Sequence, residues 1–154
     1  MPSLAEIIAA EADLVSAFVF LLQQEQEVLK SGEADALPGI VERKAEITRK
    51  LAPISIARNA VLARADLPPD RAGIDAWLKC NTADKAVRLN WEKLQTLAAE
   101  ARELNRVNGE LIQLRLQNNS QALETLRSAA NRQELYSADG QANTAHTRRI
   151  IDSA

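Results

Sequence analysis

Residues 3–32, SLAEIIAAEADLVSAFVFLLQQEQEVLKSG, decide the fold. Ser3-x-x-Glu6 is a capping box: the serine oxygen accepts from an orphan amide of the first turn while the glutamate reaches back to the cap amide. From there apolar residues recur at helical spacing to Leu29, and Lys30 and Gly32 mark the stop. Two rows repeat every seven residues: Ile7, Leu14, Leu21, Val28 and Ile8, Val15, Leu22, Leu29. Side by side they make a wide, continuous apolar stripe.

The next segment supplies one partner. After the turn at Ser31-Gly32-Glu33, Pro38 stands where a first helical turn tolerates a missing N–H, and a further heptad row follows: Ile40, Ile47, Ile54, Val61. This second helix is expected to run to about Arg64. Pro53 removes one backbone hydrogen bond, but the row keeps its phase on both sides, which predicts a kink and not a break. Facing residues of an antiparallel hairpin have position numbers with a constant sum, and a sum of 69 sets Leu29 on Ile40, Leu22 on Ile47, Phe18 on Leu51, Val15 on Ile54 and Ile8 on Val61. The same register sets Glu25 opposite Lys44 and Glu11 opposite Arg58. Residues 3–30 carry five acids and one base, whereas 37–64 carry two acids and six bases, so net −4 faces net +4. Exposed pairs of this kind are worth under about 1 kcal/mol each, so they select register more than they supply stability.

Asp66-Leu67-Pro68-Pro69-Asp70 is a linker, and Gly73–Cys80 is expected to form a short helix carrying Trp77. A third long pattern begins near Asp84 and runs through Val87, Trp91, Leu94, Leu97, Leu104, Leu111 and Ile112 toward Leu135 with no proline to stop it. At 1.5 Å per residue it would span roughly 78 Å against roughly 42 Å for the first helix, so the hairpin cannot cover all of it. The expected fold is all-α: an antiparallel helical hairpin plus one long helix in a coiled-coil-like three-helix bundle over 1–136, with a flexible C-terminal tail over 137–154.

The composition agrees. Among 154 residues, 46% are hydrophobic but only 3% aromatic, so the core material is Leu, Ile, Val and Ala, which suits helix on helix. A net charge of −2 offers no basic field for nucleic acid or anionic lipid. The longest apolar run, Ala17–Leu22, falls far short of the roughly 20 residues of a membrane span. The first residues lack the basic flank of a secretory signal, and Cys80 has no second cysteine, which together point to a protein that stays inside the cell.

Catalytic chemistry finds no foothold in the sequence. His146 and Cys80 lie far apart on different elements, so neither a metal site nor a Cys-His nucleophile is suggested, and there is no glycine-rich phosphate loop. The Glu-x-x-His motif of di-metal bundles is absent. Glu103 and Glu110 share a helix face and read as solvated surface. The expectation is a non-enzyme without cofactor or metal.

The long helix is more informative. Asn105, Asn108 and Gly109 interrupt its apolar stripe, and Asn118-Asn119 do so again. Either an asparagine at the seam fixes register, or these residues make a polar notch in which Gly109 lets another backbone approach. Beyond them Leu111, Ile112, Leu114, Leu116, Leu123 and Leu126 spread wider than a coiled-coil seam. They would be covered by a second copy or by the chain's own hairpin, or else they form a docking surface for another protein's helix. Phe20, on the far side of the first helix from Leu22, is an ordinary single exposed residue.

Glu42-x-Lys44 and Arg58, then Asn105-x-x-Asn108-Gly109-x-Leu111-Ile112, then Leu135-Tyr136-x-x-Asp139-Gly140-Gln141 resemble the FlgN family of flagellar export chaperones. The likeness runs from the Gln24-Glu25 region to Arg148-Arg149-Ile150, and the two later segments are its specific part. The resemblance implies a cytoplasmic chaperone that binds the hook-filament junction proteins FlgK and FlgL before export, with its client-binding region toward the C-terminus. It further implies that Tyr136 docks to the export-gate protein FlhA; on chemistry alone Tyr136 reads equally well as a residue packing the helix end. The alternative to a chaperone is a structural coiled coil that self-associates.

Overall fold

The computed structural model describes residues 1–137, with side-chain surroundings given to residue 132. Four α-helices occur there and no strand: α1 (Leu4–Ser31), α2 (Leu37–Arg64), α3 (Asp70–Cys80) and α4 (Lys85–Ser137), with a 3-10 turn at Ala34–Ala36. The chain is all-α. It divides into two compact units, residues 1–111 and residues from 112 onward. The expected tail, 137–154, lies outside the described residues but for Ser137.

Local chemistry sets the helix ends. Ser3 Oγ accepts from the Glu6 amide at 3.2 Å and Glu6 Oε2 accepts from the Ser3 amide at 2.8 Å, so the capping box is complete. At the other end Gly32 takes φ +82°, a left-handed conformation open to a residue without Cβ, and its amide donates to Val28 O. Pro38 sits in the first turn of α2, and Pro53 lies inside that helix without ending it. Asp84 Oδ1 accepts from the Val87 amide at 3.2 Å where α4 begins.

Within the first unit α1 and α2 run antiparallel in the register that sums to 69. Lys44 Nζ lies 3.0 Å from Glu25 Oε2, and Arg58 Nη1 bonds the Glu11 carboxylate at 2.5 Å. Along the same seam Leu29 and Ile40 are buried, and Leu22 and Ile8 are fully so. At the end of α2 it is Leu62, and not its neighbour Val61, that is completely enclosed. The first part of α4 runs parallel to α1: Asn90 Nδ2 donates to Ala5 O at 3.2 Å and Asn108 Nδ2 donates to Leu22 O at 2.9 Å, a nearly constant offset of 85–86 positions.

The core gathers where the starts of α1 and α4 meet the end of α2. Leu4, Ile8, Ala12, Leu62, Ile74, Val87, Trp91 and Leu94 form it, and each fully enclosed Leu or Ile contributes about 1.5–3 kcal/mol by leaving water. Helix α3 begins at Asp70, three residues before the expected Gly73. The reason is the anchoring of its first residue: Asp70 takes φ +64°, its amide donates to Asn59 Oδ1 at 3.1 Å, and its carboxylate accepts from Arg58 Nη2 at 2.8 Å. Gly73 is needed for contact, since a Cβ there would lie 1.8 Å from Pro68 O.

Candidate partner-binding surface

The polar residues of α4 separate into two kinds. Asn108 is 1% exposed. Its Nδ2 donates to Leu22 O and to Glu25 Oε1, both at 2.9 Å, while Lys44 Nζ holds the same carboxylate from α2 at 3.0 and 3.2 Å. One buried carboxylate thus ties three helices together, a seam asparagine fixing register. Asn105, Gly109, Asn118 and Asn119 are exposed. A Cβ on Gly109 would meet nothing within 4 Å, so no backbone among the described residues exploits the notch. The ion pairs also differ from expectation, because Glu11, Glu25 and Arg58 are buried, not surface groups.

The second unit presents the apolar residues. Ile112 is 42% exposed, Leu114 54%, Leu116 61%, Leu123 60% and Leu126 66%, whereas Leu111, in the first unit, is half-buried. At about 100° per residue, Ile112, Leu116, Leu123 and Leu126 fall within about 80° of one another around the axis, a single stripe about 21 Å long. Leu114 is not on that stripe; it points to the opposite side of the helix. Asn119 sits in the middle of it, between Leu116 and Leu123.

Elsewhere α4 carries ordinary solvated charge. Arg106 lies 2.7 Å from Glu103 and 2.6 Å from Glu110. Its hydrogen bond, and then its charge, hold the Glu103 carboxyl below the usual range. No group of three metal-ligating side chains occurs among the described residues, and none of their helices is long and apolar enough to cross a membrane. Cys80 is exposed. Tyr136 belongs to the last turn of α4, with its side chain outside the described residues, as are Asp139, Gly140, Gln141 and His146.

With the seam asparagine at Asn108 and the leucine stripe after it in place, comparison with known proteins becomes specific. A family model described as FlgN protein matches residues 1–144. The chain belongs to the FlgN family. The Flagella synthesis protein FlgN of Escherichia coli (strain K12) is 27% identical over 148 residues, covering 95% of this chain and 94% of that protein. A protein of the same name from Yersinia enterocolitica is 26% identical over 140 residues, covering 90% and 88%. No solved structure matches. The FlgN match takes in the first unit and the second as far as residue 144, including the two specific segments of the resemblance, Asn105–Ile112 and Leu135–Gln141.

Sequence reasoning missed two features of the first unit. The Arg58–Asp70 link escaped because α3 was expected to start later. The Asn90–Ala5 bond escaped because Asn90 stands in a helical pattern that offers no cue to a backbone acceptor on another element.

Proposed function

We propose that this FlgN-family chain is a cytoplasmic chaperone of the flagellar export system, one that sequesters terminal helices of the hook-filament junction proteins FlgK and FlgL and delivers them to the export-gate protein FlhA. The observation that carries the reading is the exposed stripe Ile112, Leu116, Leu123, Leu126. A helix laid along it would bury apolar side chains worth about 1.5–3 kcal/mol each before ordering costs. Leu111 flanks this surface and Leu114 lies opposite it, so both contribute less. Tyr136 is assigned to the gate: a tyrosine buries its ring while its hydroxyl finds a partner. Its position within the family segment Leu135–Gln141 supports that role; Asp139, Gly140 and Gln141 belong to the same family motif.

The test is co-expression with FlgK or FlgL followed by size-exclusion chromatography. The wild-type chain forms a stable complex. Leu123→Ser with Leu126→Ser loses it while helicity by circular dichroism stays unchanged. Tyr136→Ala keeps the client complex and weakens FlhA docking; normal docking by that variant removes the assignment.

A second reading has its own support. Asn119 in the middle of a leucine stripe is also the pattern of a self-pairing seam. Light scattering over a concentration range decides: a dimer that dissociates when Asn119→Lys is introduced, with no client complex, would replace the chaperone reading.

A further inference from the structure

The first unit contains a groove that the leucine stripe does not use. Its cavity of about 490 Å³ is within the range of ligand-binding clefts. One side is a stripe of α4 in which Leu94, Ala98 and Arg102 succeed one another by single turns; the opposite wall comes from Glu11 and Val15 of α1, Arg58 of α2 and the Asp70-Arg71 start of α3. Ala98, with the neighbouring Ala99, leaves the middle of the α4 side low, where longer side chains would have filled it. A helix or extended segment has room to lie there.

Charge decides what fits. The two acids of the groove are already engaged, since Arg58 holds both Glu11 and Asp70. The cations at its edge are less committed. Arg102 has no ion pair among the described residues, and Arg71 has only a 3.8 Å contact with Asp75, both side chains being more than half exposed. Available positive charge, with aliphatic Val15 on one wall and Ala98 on the other, calls for an occupant that brings carboxylates and aliphatic side chains together.

We infer that this groove is a second protein-docking site, and that its occupant is an acidic amphipathic helix of a partner protein, seated with its apolar residues on Val15 and Ala98 and its carboxylates toward Arg102 and Arg71. The inference stands on the first unit alone and does not depend on which client the leucine stripe takes.

The experiment uses the full chain and two fluorescein-labelled helical peptides of about 18 residues, or five turns. One carries leucines at i, i+4 and i+7 flanked by glutamates; the other has lysine at every glutamate. Anisotropy titration is expected to give about tenfold tighter binding of the glutamate peptide, with the difference shrinking as salt rises. Arg102→Glu, at an exposed position where folding is not at stake, abolishes or reverses the preference. Ala98→Trp, with helicity checked by circular dichroism, blocks both peptides. Equal binding of the two peptides by the wild-type chain, or a glutamate preference that persists in Arg102→Glu, overturns the inference.

Discussion

The register of the first unit is held by buried carboxylates, and their removal separates this arrangement from a merely hydrophobic hairpin. Glu11 sits beside Arg58 with both side chains less than a tenth exposed. Arg58→Met strands that carboxylate and is expected to cost about 3–5 kcal/mol in urea unfolding, whereas adding Glu11→Leu removes the uncompensated charge and recovers much of the loss. If the double variant is as unstable as the single one, the cost lies in packing and not in the charge. Glu25 is shared by Lys44 and Asn108, so the pairs are not independent. A cycle built from Glu25→Gln and Lys44→Met should show a coupling of roughly 0.5–3 kcal/mol. Zero coupling would contradict the distances of 3.0 and 3.2 Å. The sequence announced both pairs through one arithmetic constant, because a heptad hairpin repeats its geometry at every turn. It did not announce their burial. Whether a charge at the edge of a seam is covered depends on the third helix, and the position of α4 follows from Asn90 and Asn108, whose acceptors are carbonyls that every residue possesses.

The helices themselves were legible wherever a regular period met recognisable end signals: the capping box and Gly32 on α1, Pro38 on α2. The short α3 was less so, since its start rests on a tertiary link from Arg58 and on an aspartate at φ +64°. The glycines show the same divide. Gly109, conspicuous in the sequence beside Asn108, has open space around it, and Gly73, which drew notice only as a helix start, is hemmed in by Pro68 O. Gly109→Ala should therefore raise thermal stability by about 0.5–1 kcal/mol, the gain expected when a mid-helix glycine acquires a methyl without a clash. Gly73→Ala should instead lower it, because the linker backbone stands in the way and must shift. A destabilised Gly109→Ala protein would mean that something not accounted for approaches the helix at that turn. Leu114 makes a similar point on the client side: spacing alone grouped it with its neighbours, but helical rotation puts it opposite the stripe, so Leu114→Ser should weaken FlgK or FlgL binding far less than Leu123→Ser.

At the scale of the whole molecule, the two units differ in what supports their backbone. In the first, α4 is backed by buried Val87, Trp91, Leu94 and Asn108. In the second, every residue from 112 to 127 is exposed. A helix with no packed face opens with a free energy near that of an isolated helix, which is marginal in water even for favourable sequences. Amide hydrogen exchange is therefore expected to be slow across about 87–108 and faster by orders of magnitude across 112–132 in the free protein. A bound client helix along Ile112, Leu116, Leu123 and Leu126 would convert open apolar surface into packed surface, and exchange over 112–126 should then slow toward that of the first unit. The contrast also distinguishes the chaperone from the self-pairing coiled coil. A coiled-coil dimer would protect the stripe without any client, and its protection would fall on dilution. Protection of 112–126 that appears only when FlgK or FlgL is added, and is absent from the Leu123→Ser, Leu126→Ser protein, places the client on the stripe. Uniform protection along all of α4 in a proven monomer would mean that the stripe is already covered, and the client-binding role would then have to be sought elsewhere on the chain.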